Sequence, residues 1–97
     1  MIELSKQTVE RINQLFSSEI RKEVESLLMN KCAENIPFCQ DSDQYKMERI
    51  RFAVLKLGEG NLDKLKDAIG LAQIDWRDLL LIAGFGDDLE AHKKWNP

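Results

Sequence analysis

Apolar residues return every three or four positions along nearly the whole chain, and strict alternation of apolar and polar residues is absent. That period lines one face of an α-helix, so the pattern predicts an all-helical protein. The first stretch carries Val9, Ile12, Phe16, Ile20, Val24 and Leu27, separated by steps of 3, 4, 4, 4 and 3. One continuous helix would keep that phase. Ser17-Ser18 ahead of Glu19 argues for a break instead, because a hydroxyl can hold an orphan amide and an acid in the first turn suits the helix dipole. The expectation is one helix from about Ser5 to Phe16 and a second from about Ser18 to Glu34, ended by Asn35 and Pro37. A single long helix would project an end suited to antiparallel dimerisation, whereas a hairpin closes on the rest of the chain.

Residues 35–42, N-I-P-F-C-Q-D-S, read as a loop, with Ser42 or Asp43 capping a third helix. That helix has Met47, Ile50, Val54 and Leu57 on one stripe and Tyr45, Phe52 and Leu55 near another, so it is expected to be covered on more than one side and central. Gly58-Glu59-Gly60 ends it, with Gly58 suited to a left-handed position, and Asn61 caps a fourth helix that turns Leu62, Leu65, Ile69 and Ala72 inward. Gly70 inside the fourth helix suggests a close helix contact.

A fifth helix is expected after Asp75, which supplies the N-cap, with Ile74 and Leu79 as a hydrophobic staple across it. Leu79-Leu80-Leu81-Ile82-Ala83 leaves this helix no polar side, which predicts a buried element, and Trp76 falls on the face of Leu79 and Leu80, which predicts a core indole. Gly84-Phe85-Gly86 stops the helix, with Phe85 placed to fold back on Leu80. Asp87-x-x-Glu90 has the form of a capping box opening a short helix through His92 toward Trp95. The pattern as a whole predicts an all-α fold, a compact bundle of five or six helices with short connections, in a single domain spanning residues 1–97.

Composition narrows the choice of partner. With 43% hydrophobic and 32% charged residues the balance is that of an ordinary globular protein. Fourteen Lys and Arg oppose seventeen Asp and Glu, for a net charge of -3, and no segment is a basic arm. Nucleic acids and anionic membranes draw most of their non-specific affinity from such arms, so both are disfavoured. The opening M-I-E-L-S-K-Q has neither a basic leader nor an apolar core, and no run approaches the roughly 18 apolar residues of a membrane span, which leads to the expectation of a cytoplasmic protein. Cys32 and Cys39 lack the C-x-x-C spacing of a redox or zinc site and read as two thiols; no cofactor or metal is expected.

Candidate chemistry is sparse. His92 is the only histidine, and near the end of a short helix its imidazolium would face the dipole favourably without any catalytic role. A nucleophile and base from Cys32 or Cys39 with His92 is conceivable only if the fold brings them together. The fourth and fifth helices have helix-turn-helix proportions, but W-R-D-L-L-L-I-A offers base edges one arginine. Lys46, Arg49 and Lys56 lie near one face of the third helix and form a modest basic patch. Glu48 and Glu59 dilute its field.

The segment E-R-I-R-F-A-V-L-K-L-G-E-G-N-L-D-K-L, followed by A-I-G-L-A-Q-I-D-W-R-D-L-L-L-I-A-G-F-G, resembles a family of small uncharacterised bacterial proteins with an R-F-A-x-L-K-L helix, a Gly/Asn turn and a D-W-R-D-L-L-x-x-A-G-F stretch. The resemblance covers residues 48–95, implies a bacterial cytosolic origin, and carries no activity or site residue with it.

The reading that remains is a non-catalytic helical module that contacts an unidentified protein partner or a second copy of itself, with Arg51, Arg77 and Trp95 as expected exposed contacts. Nucleic-acid binding through Lys46, Arg49 and Lys56 is the alternative, and a small thiol enzyme the third.

Overall fold

In the computed structural model, which describes residues 3–32, 36, 44–95 and 97, the chain forms five helices and, among those residues, no strand. Helix α1 runs Lys6–Leu15 and α2 Arg21–Lys31. The Ser5 hydroxyl accepts the Thr8 amide at 3.1 Å and so caps α1. The break expected at Ser17-Ser18 is present, but neither serine caps α2, whose first residue follows Ile20 without a side-chain cap. The corner is held from the other side. Arg21 donates to the carbonyls of Phe16 at 2.9 Å and Asn13 at 2.8 Å, which would otherwise be left bare at the end of α1. The two helices form a hairpin that buries Ile12, Phe16, Val24 and Leu28.

Helix α3, Gln44–Gly58, is the central element. Ile50 to Leu55 are all buried, six residues in succession, so the helix is covered around its whole circumference. It packs mainly along α4, Leu62–Ala83, and touches α1 and the short α5, Ala91–Lys94. The α3–α4 corner differs from the expectation at Gly58. That residue is helical, and the left-handed positions are Glu59 at φ 51° and Gly60 at φ 74°. A Cβ on Gly60 would also lie 2.7 Å from the Leu15 carbonyl oxygen, so both backbone and space require glycine there. Asn61 then caps α4 as expected, its Oδ1 accepting from the Lys64 amide at 3.0 Å.

The expected fourth and fifth helices follow one another as two arms of α4 that meet at Asp75, whose backbone is non-helical (φ -157°, ψ 96°). The Asp75 carboxylate accepts the amides of Arg77 at 3.0 Å and Asp78 at 3.4 Å, so it starts the second arm as a cap. Its staple does not form, because Ile74 is 82% exposed while Leu79 is buried. Gly70 has open space around it and makes no close contact. The second arm ends in the expected double turn: the Phe85 amide donates to the Leu80 carbonyl at 2.8 Å and the Gly84 amide to the Leu81 carbonyl at 3.1 Å, with Gly84 left-handed at φ 82°. The Asp87–Glu90 capping box is not present. Asp88 instead accepts the Glu90 amide at 2.8 Å, and α5 is a single turn.

These elements share one contiguous core, and the Cα radius of gyration is 11.8 Å, against about 12.5 Å for one compact domain of this length. The loop at 35–42, Cys39 and the cap at Ser42 or Asp43 lie outside the described residues apart from Ile36, which is buried. No helix among the described residues is long and apolar enough to cross a membrane.

Candidate functional site

The second arm of α4, residues 76–83, places five apolar side chains in succession on a helix whose main neighbour among the described residues is α3. A helix spreads consecutive residues at about 100° to one another, so one neighbour cannot cover all five. Leu79, Leu80 and Ala83 are buried, whereas Leu81 and Ile82 are 60% and 61% exposed. The expectation of a fully buried helix is therefore corrected: its inner row is core and its outer row faces water. Ile74 before the bend and Leu89 in the following loop, 63% exposed, add to the apolar surface of this end of the molecule.

Beside the outer row runs a furrow in two connected parts. One, about 320 Å³, is lined by Tyr45, Ile50, Trp76, Leu80 and Leu89 with Lys46 and Arg49. The other, about 250 Å³, adds Arg77, Leu81 and Gly86 and shares Arg49, Trp76 and Leu80 with the first. Trp76, expected in the core, is half-buried and forms the wall between them, with the Lys46 ammonium 4.5 Å and the Arg77 guanidinium 5.6 Å from its ring. A cation over an indole is attracted by the ring quadrupole, so both cations favour this position of the ring. The lining has an apolar floor and a cationic rim. Among the described residues it contains no carboxylate, imidazole or thiol, and its phenol, Tyr45, donates to the Glu90 carboxylate at 2.7 Å and the Leu89 carbonyl at 2.9 Å. That bond to Glu90 raises the Tyr45 pKa and lowers that of Glu90.

The residues chosen from sequence fall in three places. Arg77 is exposed, as expected. Arg51, expected as an exposed contact, is fully buried and donates to the carbonyls of Cys32 at 3.0 Å and Glu3 at 2.9 Å, tying the end of α2 and the segment before α1 to α3. Trp95 is half-buried on the core side: its ring lies 6.1 Å from Phe52 and 6.3 Å from Phe85, and its carbonyl receives Arg11 at 2.9 and 3.2 Å. The basic face is not an open patch. Arg49 donates to the Phe85 carbonyl and lies 3.5 Å from that of Gly86, while Lys56 donates to the Ala83 carbonyl at 2.7 Å. Both cations sit at the negative end of α4, and with Lys46 on Trp76 the three residues brace α4 against α3.

His92 departs furthest from expectation. It is fully buried, with ring centroids of Tyr45 and Phe52 at 5.5 Å and Phe85 at 6.3 Å, and neither ring nitrogen meets a partner at hydrogen-bonding geometry among the described residues. Burial first, then the charges of Arg49 and Lys93, lower its pKa, against weaker opposing pulls from Glu90 and the Leu89 carbonyl. It is a packing residue whose burial favours the neutral ring over the imidazolium expected at the helix end. Cys32 is buried at the end of α2, and no group of three or more His, Cys, Asp or Glu able to hold a metal occurs among the described residues.

Sequence reasoning missed the outer row of α4 and the furrow because both depend on what lies opposite the helix. The signal that pointed there was the excess itself: five apolar residues in a row are more than one packed face uses. Comparison of the chain with protein-family models, with curated proteins and with solved structures finds no match.

Proposed function

We propose that this chain is a non-catalytic, cytoplasmic helical module that binds protein through the outer row of the second arm of α4 and the furrow beside it. The observation that carries this reading is the exposure of Leu81 and Ile82, 60% and 61%, on the same turn as fully covered neighbours. A solvent-facing helix row ordinarily carries polar groups, and apolar surface gains about 25 cal/mol for every Å² taken out of water, so a contiguous apolar row favours a covered state. A Trp and an Arg at the centre match the side chains that dominate binding energy at protein interfaces. The cationic rim of Lys46, Arg49 and Arg77 surrounds an apolar floor, the layout of a contact surface with a polar border.

The test uses the full chain and a Leu81→Asp/Ile82→Asp variant, compared by affinity capture and by light scattering after matching their circular dichroism. The expected result is association with a protein partner or with a second copy that the folded variant loses. A strict monomer that retains nothing overturns the reading.

A further inference from the structure

The outer row of α4 carries its own complement. We propose that its occupant is a second copy of this chain, paired antiparallel along residues 74–81 about a two-fold axis that passes between residues 77 and 78; this rests on the reading of that row as a contact surface.

Arg77 and Asp78 are adjacent, both are exposed, and neither forms a side-chain ion pair among the described residues. In a two-fold contact each residue meets its counterpart's partner, and the reverse contact repeats it. With the axis between residues 77 and 78, Arg77 faces the second copy's Asp78 and Asp78 faces its Arg77. The same axis sets Leu81 opposite Ile74 of the second copy, and Ile74 opposite its Leu81. Both are apolar and largely exposed, at 60% and 82%. Four residues thus supply two ion pairs at the centre and two apolar contacts at the ends.

Charge disfavours the neighbouring registers. An axis shifted onto residue 78 would set Asp78 against Asp78, and one shifted onto residue 77 would set Arg77 against Arg77, both repulsive. A parallel pairing would likewise bring like residues together. The overlap of the two second arms, residues 76–79 of each copy, is roughly 6 Å long at 1.5 Å per residue, which places the interface at the small, concentration-dependent end of specific contacts.

Sedimentation equilibrium on the full chain reads the outcome, with Arg77→Glu and Asp78→Lys purified separately and their folds checked by circular dichroism. The wild type is expected to rise with concentration from 11.2 kDa toward twice that mass. Each single variant is expected to stay monomeric, because its pairing sets like charges together. An equimolar mixture of the two is expected to form a one-to-one heterodimer, since Glu at 77 then meets Lys at 78 and Asp78 meets Arg77. Non-specific apolar association does not give that recovery. A wild type that is monomeric at every concentration, single variants that associate as the wild type does, or a mixture that fails to recover would each overturn the pairing. If the wild type is monomeric but captures a protein that the Leu81→Asp/Ile82→Asp variant loses, the self-pairing fails and the contact surface stands; if it is monomeric and captures nothing, both fail.

Discussion

The two arms of α4 are built from similar numbers of apolar residues and meet water differently. In the first arm, residues 62–74, Leu65, Ala68, Ile69 and Ala72 are buried at the 3–1–3 spacing of one helix face, while Asp63, Lys64, Lys66 and Asp67 are exposed. In the second, Leu79, Leu80 and Ala83 are buried and two more large apolar residues lie outside with Arg77 and Asp78. Up to Ala72 the first arm is a finished amphipathic helix, and only Ile74 at its end is apolar and exposed. The second has one apolar row more than its neighbours use. Apolar density along a helix therefore says how much surface seeks cover, and only the opposing elements say how much finds it.

Substitutions in the inner and outer rows of the second arm test that difference most strongly. Leu79→Ala is expected to lower the unfolding free energy by about 2–4 kcal/mol, the range for a fully buried leucine, whereas Leu81→Ala should change it by less than about 1 kcal/mol in dilute solution. Urea denaturation of both variants checks this, and equal losses would erase the distinction between the rows. A smaller effect is expected at the bend. Asp75→Ala removes the carboxylate that accepts the Arg77 and Asp78 amides and should cost about 1 kcal/mol, a melting-point fall of roughly 4–8 °C. Amide exchange should quicken first in residues 76–78, while residues 65–72 stay protected.

The smallest effect is on pH dependence. His92 titrates below its ordinary value in the folded state, so near pH 6.5 the unfolded chain takes up a proton that the fold refuses. Its stability contribution is thus complete above about pH 6.5 and diminishes as pH falls below it, by at most about 0.7 kcal/mol between pH 7 and 6. His92→Phe should flatten that slope. Because His92 rests against Phe85, just beyond the second arm, exchange at pH 6 should rise there before it rises in the first arm.

The parts of the fold legible in the sequence were those decided within a few residues. Asn61 and Asp75 are short polar side chains placed where bare amides need an acceptor, and Gly84 stands where the backbone turns left-handed, so each could be assigned from its immediate neighbours. The six buried residues of α3 were anticipated in outline, because two apolar stripes on one helix imply two neighbours. What escaped was set at long range. Arg51 looks like a surface arginine until the carbonyls of Cys32 and Glu3, 19 and 48 residues away, come to its guanidinium. The Lys46, Arg49 and Lys56 face looks like a phosphate patch until the end of α4 arrives beneath it. Of the candidate contact site, Arg77 was visible as a residue with no capping or packing role. Leu81 and Ile82 were not, since the same periodicity describes a covered row and a bare one.

The guanidinium of Arg11 grips the carbonyl of Trp95 across 84 positions of sequence and stacks 4.2 Å from the Phe52 ring. A contact of such span is made late. During synthesis α1 is complete long before its anchor exists, and closing so large a loop carries an entropic cost that local helix formation does not repay. The Arg11–Trp95 clasp can therefore close only after the segment following α4 has been made, so the two ends of the chain are joined last in synthesis.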